Sequence, residues 1–356
     1  MQLFSSLAEF GHEQLTLLAG RACGLRALIG LNDTRPGPVL APLRVWPYAA
    51  DADAFADTLR RARALSVKAA LAGTDFGGGA ITVIANPEQG ATEAAMRTLG
   101  RHVAGLAGRL VVTDEPGTRP ESLAWLSRET THLLTLDEDT RADWTALGAW
   151  HGLRACLGRA LGHEDYSRAS FAVQGAGRVG QRLVRLLRAT GARVWVSDLN
   201  DARTEALVAA TGAEAVPMQQ IYDLPAQVFC PCAMSGALNE DTIPRLRASI
   251  VAGTANDALK NDAAAALLAE RGILYAPDFA INAGDLVAIS LLRDSASRAD
   301  IETAVSGIAA TLDRVFTRAD SDRTLVTAAA ARLAAERVAA LHAAVPAAGR
   351  SRTPPG

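Results

Sequence analysis

The sequence contains very little lysine. Only two of its 36 lysine and arginine residues are lysines, Lys68 and Lys260, so arginine carries almost all of the positive charge. An arginine side chain keeps its proton in proteins, whereas a lysine side chain can be tuned to act as a base or held as a compact charge. Each of the two lysines is therefore a stronger functional candidate than a lysine in an ordinary sequence.

Cysteine and long apolar runs are scarce as well. Four cysteines in 356 residues do not form a disulfide framework, and the six histidines lack the spacing of metal ligands. No apolar run approaches the roughly 18 residues of a membrane span, and the first residues lack the basic and apolar segments of a signal peptide. A net charge of −2 gives no electrostatic case for binding nucleic acid or an anionic membrane. We expect a soluble, cytoplasmic protein without a metal.

The chain has the length and the apolar content of a two-domain globular protein. It is 49% hydrophobic, and an average domain has about 150 residues. Apolar runs alternate with helical segments, which predicts an α/β fold, and from about residue 143 the pattern becomes a series of βα units. Helices are predicted over residues 52–68 and 325–343, and a glycine-rich turn over 73–80. Strands are predicted at residues 24–33, 81–85, 110–114, 171–174, 193–198, 227–230, 250–252 and 273–275.

The segment VQGAGRVG has the glycine spacing of a dinucleotide-binding turn between a strand and a helix. In such a turn Gly175 permits the tight bend, Gly177 lets the backbone approach a pyrophosphate, and Gly180 allows close packing of helix against strand. Asp198 follows the next strand, where a carboxylate accepts hydrogen bonds from the ribose hydroxyls and repels a 2′-phosphate. These residues predict a Rossmann site for NAD rather than NADP.

With these segments in place, the chain resembles the glutamate/leucine/phenylalanine/valine dehydrogenase family, and most closely its leucine dehydrogenase branch. The resemblance runs nearly from end to end. It rests on these strings: CGLRALIGLNDTRPGPVL, RARALSVKAALAGTDFGGG, DEPGT, the glycine turn, PCAMSGALNEDTIPRL, VAGTANDALK and YAPDFAINAGD.

The resemblance implies a fold and an activity. Members of the family have an α/β substrate domain, here residues 1–143 with 326–356, and a Rossmann domain, here residues 144–325, with the active site in the cleft between the two. They are homo-oligomers that oxidise L-amino acids to 2-oxo acids and ammonia with a nicotinamide cofactor. We therefore expect a small amino acid, 2-oxo acid or imine as the substrate.

The resemblance also assigns roles to individual residues. Lys68 matches the family lysine that binds the substrate carboxylate, and Asn256 matches the asparagine that contacts the amino-acid group. Thr145 lies where the family has a threonine near the nicotinamide amide, and Asn282 borders the cofactor. The predicted cofactor-binding residues are Gly175, Gly177, Arg178, Val179, Gly180, Asp198, Thr145, Cys232, Ala233, Asn256 and Asn282.

Three motifs depart from the family pattern. The family motif GGGK reads GGGA, which puts Ala80 in place of the lysine that activates water. The acid–base aspartate of the family aligns with Glu115 in DEPGT, although the adjacent Asp114 is an alternative. The string GPALGGTR becomes GPVLAPLR, so Ala41 and Pro42 replace a glycine pair and reshape the pocket, because both add bulk and proline lacks an N–H.

These departures leave three hypotheses. We favour an NAD-dependent oxidoreductase that acts on the C–N bond of an amino acid or its imine and has lost ordinary hydrolytic deamination. Hydride transfer mainly needs positioning, whereas hydrolysis of an imine needs water activated by a base. The second hypothesis is a catalytically silent nucleotide-binding subunit, and the third is a conventional dehydrogenase with Glu115 as its base.

Overall fold

The chain divides into two compact units, each described here by itself. The computed structural model describes residues 3–9, 11–34, 36–86, 90–115, 118–233 and 235–344. The first unit contains the described residues of Met1–Ala70, Asp75–Thr135 and Leu333–Gly356, and the second contains Leu71–Thr74 and Leu136–Arg332. The sequence predicted divisions after residues 143 and 325. Pro116, Gly117 and the C-terminal tail lie outside the described residues.

The first unit is built on a five-stranded mixed sheet with the order β1-β2-β4-β3-β5. Strands β1 and β4 pair with β2 in antiparallel fashion, and β3 pairs with β4 and β5 in parallel. The strands are β1 (Gln14–Gly20), β2 (Leu25–Leu31), β3 (Val39–Trp46), β4 (Gly77–Ile84) and β5 (Leu110–Asp114). The helices are α1 (Leu3–Glu9), α2 (Asp51–Ala72), α3 (Glu93–Gly105) and α4 (Pro120–Ser127).

Side-chain alternation divides this sheet into two faces. Odd-numbered residues of β3 and β4 pack with α3 in a buried apolar core that includes Val39, Leu43, Ile81, Val83, Met96 and Leu99. Even-numbered residues, among them Gly78, Ala80 and Thr82, lie under α2. Thr82 on this face shares a hydrogen bond with Thr58 of α2 (2.7 Å). The face under α2 therefore carries the polar groups of this unit.

The glycine-rich segment is a strand rather than a turn over its second half, so that part of the prediction was wrong. Residues 77–80 form the first half of β4. A Cβ on Gly78 would overlap the backbone nitrogen and hydroxyl of Ser66 in α2, and one on Gly77 would overlap the carbonyl of Asp33. Gly77 and Gly78 are needed because another stretch of backbone lies too close to each of them for a side chain. Within a strand, glycine commonly marks such a close approach rather than a turn.

The second unit is a six-stranded, wholly parallel sheet with the order β11-β10-β9-β6-β7-β8. Counted from β6, this is the 3-2-1-4-5-6 order of a Rossmann fold, so the predicted two-domain α/β fold is confirmed. The strands are β6 (Ser170–Gln174), β7 (Arg193–Ser197), β8 (Glu214–Ala215), β9 (Val228–Pro231), β10 (Ile250–Val251) and β11 (Leu274–Tyr275). The helices are α5 (Glu138–Leu161), α6 (Arg178–Ala189), α7 (Asp201–Thr211), α8 (Asp262–Glu270), α9 (Asp278–Ile281), α10 (Gly284–Arg293), α11 (Arg298–Ser306), α12 (Ile308–Asp322) and the first residues of α13 (Val326–Ala344), which from Leu333 onward belongs to the first unit.

The predicted strands are all present, with small differences at their ends, and the strand at residues 110–114 has the predicted bounds. Strands β1, β3 and β8 were not predicted. β3 was missed because Pro42 interrupts its apolar pattern, and β1 because it is a half-exposed edge strand. Among the helices that the structure describes, none combines the length and the apolar character needed to cross a membrane.

We expect Gly78→Ala to lower the free energy of unfolding by about 2 kcal/mol or more, because the added methyl group forces α2 away from β4. Gly105→Ala is the matched control. Gly105 lies at the exposed end of α3 with nothing within 4 Å of an added Cβ, so stability changes by less than about 1 kcal/mol. Urea unfolding of both variants measures the difference. Equal stability of the two would contradict the close helix–strand contact.

Candidate functional site

The turn between β6 and α6 has the geometry that a bound pyrophosphate requires. Gly175 has a φ of +109°, and an added Cβ would lie 2.6 Å from the Cβ of Ala233. A Cβ on Gly180 would overlap the carbonyl of Gly175, whereas one on Gly177 would meet nothing within 4 Å. The outer glycines are therefore needed for packing, and the middle one leaves open space beside the start of the helix.

The first turn of α6 presents backbone amides without a side-chain cap. Gly177 is the N-cap, and Val179 lies in that turn. The guanidinium of Arg178 points elsewhere, because it pairs with Glu138 (2.7 Å) and Asp139 (3.0 Å) of α5. The amides at this helix start are the groups suited to an anion, and the Arg178 side chain is a link between two helices.

Asp198 is held directly beside this turn. Its Oδ2 accepts a hydrogen bond from the backbone N–H of Ala176 (2.7 Å), and its Oδ1 accepts one from Asn200 (2.9 Å). Only 11% of the side chain is exposed. The carboxylate therefore has a fixed orientation at the carboxyl end of β7, which is where a ribose binds in this fold.

Cys232 and Ala233 complete one side of the turn. The backbone N–H of Cys232 donates to the carbonyl of Gln174 (2.8 Å), which ties the segment after β9 to β6. Burial raises the pKa of the Cys232 thiol, although hydrogen bonds with Thr254 oppose the shift. The thiol therefore stays neutral, and the role of Cys232 at this turn is structural.

Asn282 and Asn256 meet near the carboxyl ends of the same strands. Asn282 is 3% exposed, and its Nδ2 donates to Oδ1 of Asn256 (2.8 Å). Its own Oδ1 is buried and has no hydrogen-bond partner among the described residues. A buried acceptor is costly unless a ligand or water satisfies it, so the Oδ1 of Asn282 is suited to accept a hydrogen bond from one.

Thr145 lies close to this pair of asparagines. Its Oγ1 donates to the carbonyl of Arg141 within α5 (2.9 Å). A Cβ on Gly284 would lie 3.3 Å from Cα of Thr145 and would overlap the carbonyl of Trp144, so α5 contacts the start of α10 directly. The structure thus brings Thr145 to the segment that follows Asn282.

In the first unit, α2 places Lys68 beside the polar sheet face. Lys68 is half-buried and follows Arg61 by seven residues, which puts both side chains on the same side of the helix. Ala80 is 0% exposed on β4 in the face under α2. The register of β3 with β4 and β5 places Pro42 level with Ala80 and opposite Thr113. The sheet beside α2 is therefore apolar where the resemblance expects a lysine.

Glu115 is bound by two arginines that the sequence analysis did not select. Arg44 of β3 donates two hydrogen bonds to Oε1 of Glu115, one from Nε (3.1 Å) and one from Nη2. Arg61 of α2 forms an ion pair with Oε2 of the same carboxylate. Arg61 also donates to the carbonyl of Pro42 (3.1 Å) and to Oγ1 of Thr82 (3.3 Å). Burial lowers the pKa of Arg61 although Glu115 opposes the shift, and the guanidinium stays charged because its ordinary value is so high.

The same geometry distinguishes the two acidic candidates. Asp114 is the last residue of β5, so its side chain alternates to the face opposite that of Thr113 and Glu115. Glu115 reaches the arginines under α2, whereas Asp114 belongs to the α3 side of the sheet.

The sequence signal that could have selected Arg61 was its seven-residue spacing from Lys68, which places both side chains on the same side of α2.

Comparison with known proteins assigns the family. A model described as Glu/Leu/Phe/Val dehydrogenase, dimerisation domain, matches residues 12–132, and one described as Glutamate/Leucine/Phenylalanine/Valine dehydrogenase matches residues 196–345. Leucine dehydrogenase from Thermoactinomyces intermedius is 34% identical over 343 residues, which cover 95% of this chain and 94% of that protein. The chain belongs to this family. The predicted membership is thereby confirmed.

Other relatives show the same relationship. Phenylalanine dehydrogenase from Thermoactinomyces intermedius is 33% identical over 344 residues, which cover 94% of each chain. The crystal structure of L-tryptophan dehydrogenase from Nostoc punctiforme superposes with a TM-score of 0.88 at 34% identity, covering 95% of this chain and 99% of that one.

Members of this dehydrogenase family use NAD(P), and the second unit fits NAD. The glycine turn leaves space at the uncapped start of α6, Asp198 is fixed at the ribose position, and the orphaned Oδ1 of Asn282 is an acceptor for a carboxamide N–H. These residues would hold the pyrophosphate, the adenosine ribose and the nicotinamide end respectively.

We expect Glu115→Gln to lower the free energy of unfolding by roughly 3 kcal/mol, because it leaves the buried Arg61 without a counter-charge. In Arg61→Met/Glu115→Gln the loss is smaller than the sum of the two single losses. Glu121→Gln, which removes half of an exposed pair with Arg119 (3.4 Å), is the control and leaves stability unchanged. Strictly additive losses in urea unfolding would contradict a coupled Arg61–Glu115 pair.

Proposed function

We propose that the chain is an NAD-dependent oxidoreductase that forms or reduces the imine of an amino acid and does not carry out ordinary hydrolytic deamination. The observation that carries this proposal is the state of the two acid–base positions. Position 80 holds a fully buried alanine, and Glu115 is bound by two guanidinium groups. Lys68 and the nucleotide turn are retained.

In this proposal Lys68 binds the substrate carboxylate, and Asn256 orients the nitrogen. Asn282 positions Asn256 through their hydrogen bond, so the two amides act as a unit. A bound nicotinamide would supply the acceptor for the hydride of the substrate Cα, or in its reduced form the hydride donor for an imine carbon. The chain contributes mainly alignment to this step, and alignment alone accounts for large accelerations.

Hydrolysis of the imine makes a different demand. Water must add to the carbon of the C=N bond, lose a proton to a base and then let the amine leave. Neither Ala80 nor a permanently charged arginine can accept that proton. The loss of a general base costs roughly 10²–10⁴-fold in rate. The imine is therefore reduced, passed on or captured by another amine more readily than it is hydrolysed.

The conventional dehydrogenase with Glu115 as its base is less well supported. Two guanidinium groups occupy both carboxylate oxygens of Glu115 with charge-assisted hydrogen bonds, so the carboxylate is engaged by the protein rather than open to a water molecule. Asp114 is not a ready substitute, because strand alternation directs it to the other face.

The catalytically silent subunit remains the second candidate. It accounts for the loss of the lysine and of the glycine pair together. The retained Lys68 and the buried, unsatisfied Oδ1 of Asn282 count against it, because a non-catalytic chain has little use for either.

We also propose a cytoplasmic homo-oligomer, in keeping with the dimerisation-domain model that the first unit matches.

The first test follows the absorbance of reduced nicotinamide with the purified chain. We expect 2-oxo acids with NADH to turn over with a primary organic amine at least tenfold faster than with ammonia, because a primary alkyl amine is the stronger nucleophile and condenses with the oxo acid to the imine with less need of a protein base. L-Amino acids with NAD are expected to give little turnover. Brisk deamination of an amino acid would contradict the proposal, and silence with bound NADH would favour the non-catalytic subunit.

Ala80→Lys tests the cause. We expect deaminase activity to rise by roughly 10²-fold if the missing base is what limits hydrolysis. Because Arg61 lies on the same face, Ala80→Lys/Arg61→Met provides the space and removes the competing charge. Ala41→Gly, which reverses another departure without adding a base, is the control. No gain in either lysine variant would contradict the role given to position 80.

A further inference from the structure

An ion pair joins helices α5 and α10 close to the residues expected at the nicotinamide end of the cofactor. Nη1 of Arg141 lies 3.6 Å from Oδ2 of Asp285. The two side chains are only 16% and 19% exposed, so solvent screens their attraction less than that of an exposed pair. Neither residue belongs to the dinucleotide motif or to the site residues that the family resemblance assigns.

The pair lies one helical turn from Thr145 and three residues from Asn282. On α5, Oγ1 of Thr145 donates a hydrogen bond to the carbonyl of Arg141 (2.9 Å). On the other side, the backbone N–H of Asn282 donates to the carbonyl of Asp278 (2.9 Å) at the end of α9, and α10 begins two residues later at Gly284. Each member of the ion pair is therefore close in the chain to one of the residues expected at the nicotinamide.

Two glycines bring the backbones of α5 and α10 into contact. A Cβ on Gly284 would overlap the carbonyl of Trp144, and a Cβ on Gly148 would lie 3.1 Å from Cα of Gly284. Such a contact brings the helices close but fixes their register poorly, because glycine has no side chain to pack into a groove of the opposite helix. A charged pair at the same interface supplies that register, which is the best-supported use of a buried ion pair.

We propose that Arg141 and Asp285 are positioning residues that set the register of α5 against α10, and with it the spacing between Thr145 and Asn282. A fixed spacing favours binding of the nicotinamide end, because fewer side-chain arrangements have to be ordered when the ligand arrives. The inference rests on the proposed function in taking NAD as the ligand, and it does not depend on the fate of the imine.

Calorimetry on the whole chain separates the nicotinamide end from the rest of the nucleotide site. The probes are NADH and ADP-ribose, which has the pyrophosphate and the riboses of the cofactor but lacks the nicotinamide. We expect Arg141→Leu to weaken NADH binding by roughly tenfold and to change ADP-ribose binding by less than about twofold. Arg141→Lys keeps the charge and is expected to retain most of the NADH affinity.

Asp285→Asn tests the other member of the pair. It removes the same interaction with almost no change in shape, so it replaces Arg141→Leu in the comparison should that variant fail to fold. We expect the same selective loss of NADH affinity. Arg141→Leu/Asp285→Asn is expected to lose no more affinity than either single variant, because the two residues act as one pair.

Arg159→Leu is the matched control. Arg159 also lies on α5 and forms an ion pair with Asp320 of α12, but this pair is more exposed and lies about four helical turns beyond Thr145, so its loss changes neither affinity. The inference is overturned if Arg141→Leu weakens both probes alike or leaves NADH binding unchanged, or if the wild type binds NADH no more tightly than ADP-ribose. A chain that binds the probes as expected but deaminates amino acids briskly would refute the proposed function alone.

Discussion

The close approach of α2 to β4 is the contact on which the first unit depends. Gly78 admits the backbone of α2 at Ser66, and the alternation of β4 then puts Ala80 and Thr82 under the same helix. Because α2 lies so close, Arg61 can reach across the sheet to β3 and to Glu115. The acid–base properties of this face are thus set by a packing contact between a helix and a glycine strand.

The cations that bind Glu115 are arginines rather than lysines, which has chemical consequences. A lysine on the face under α2 would bring an ammonium group that can lose its proton, whereas Arg61 brings a charge that persists and binds Glu115. The cluster stays electrically balanced because Arg44 also pairs with Asp57 (3.0 Å). Such a network holds a carboxylate in place more effectively than it moves protons. The loss of one base and the immobilisation of another therefore point in the same direction.

The second unit follows the opposite pattern, in which the polar groups are left ready for a ligand. Its parallel strands are buried on both faces, so polar groups collect at the carboxyl ends of the strands. There the amides of α6 have no side-chain cap, and Asn282 keeps an unsatisfied oxygen. The contrast between a saturated carboxylate in one unit and unsatisfied donors and acceptors in the other is the basis of the proposal that the chain binds its cofactor but does not hydrolyse an imine.

The sequence by itself determined the family, the two-domain α/β class and the nucleotide turn, because each is written in short local patterns. The glycines at 175, 177 and 180 and the acid at 198 have meaning through their spacing alone. Only the tertiary structure decided that Glu115 rather than Asp114 faces α2, and that Arg44 and Arg61 bind it. Arg44 and Glu115 are 71 residues apart along the chain, so strand register, which no local pattern specifies, brings them together.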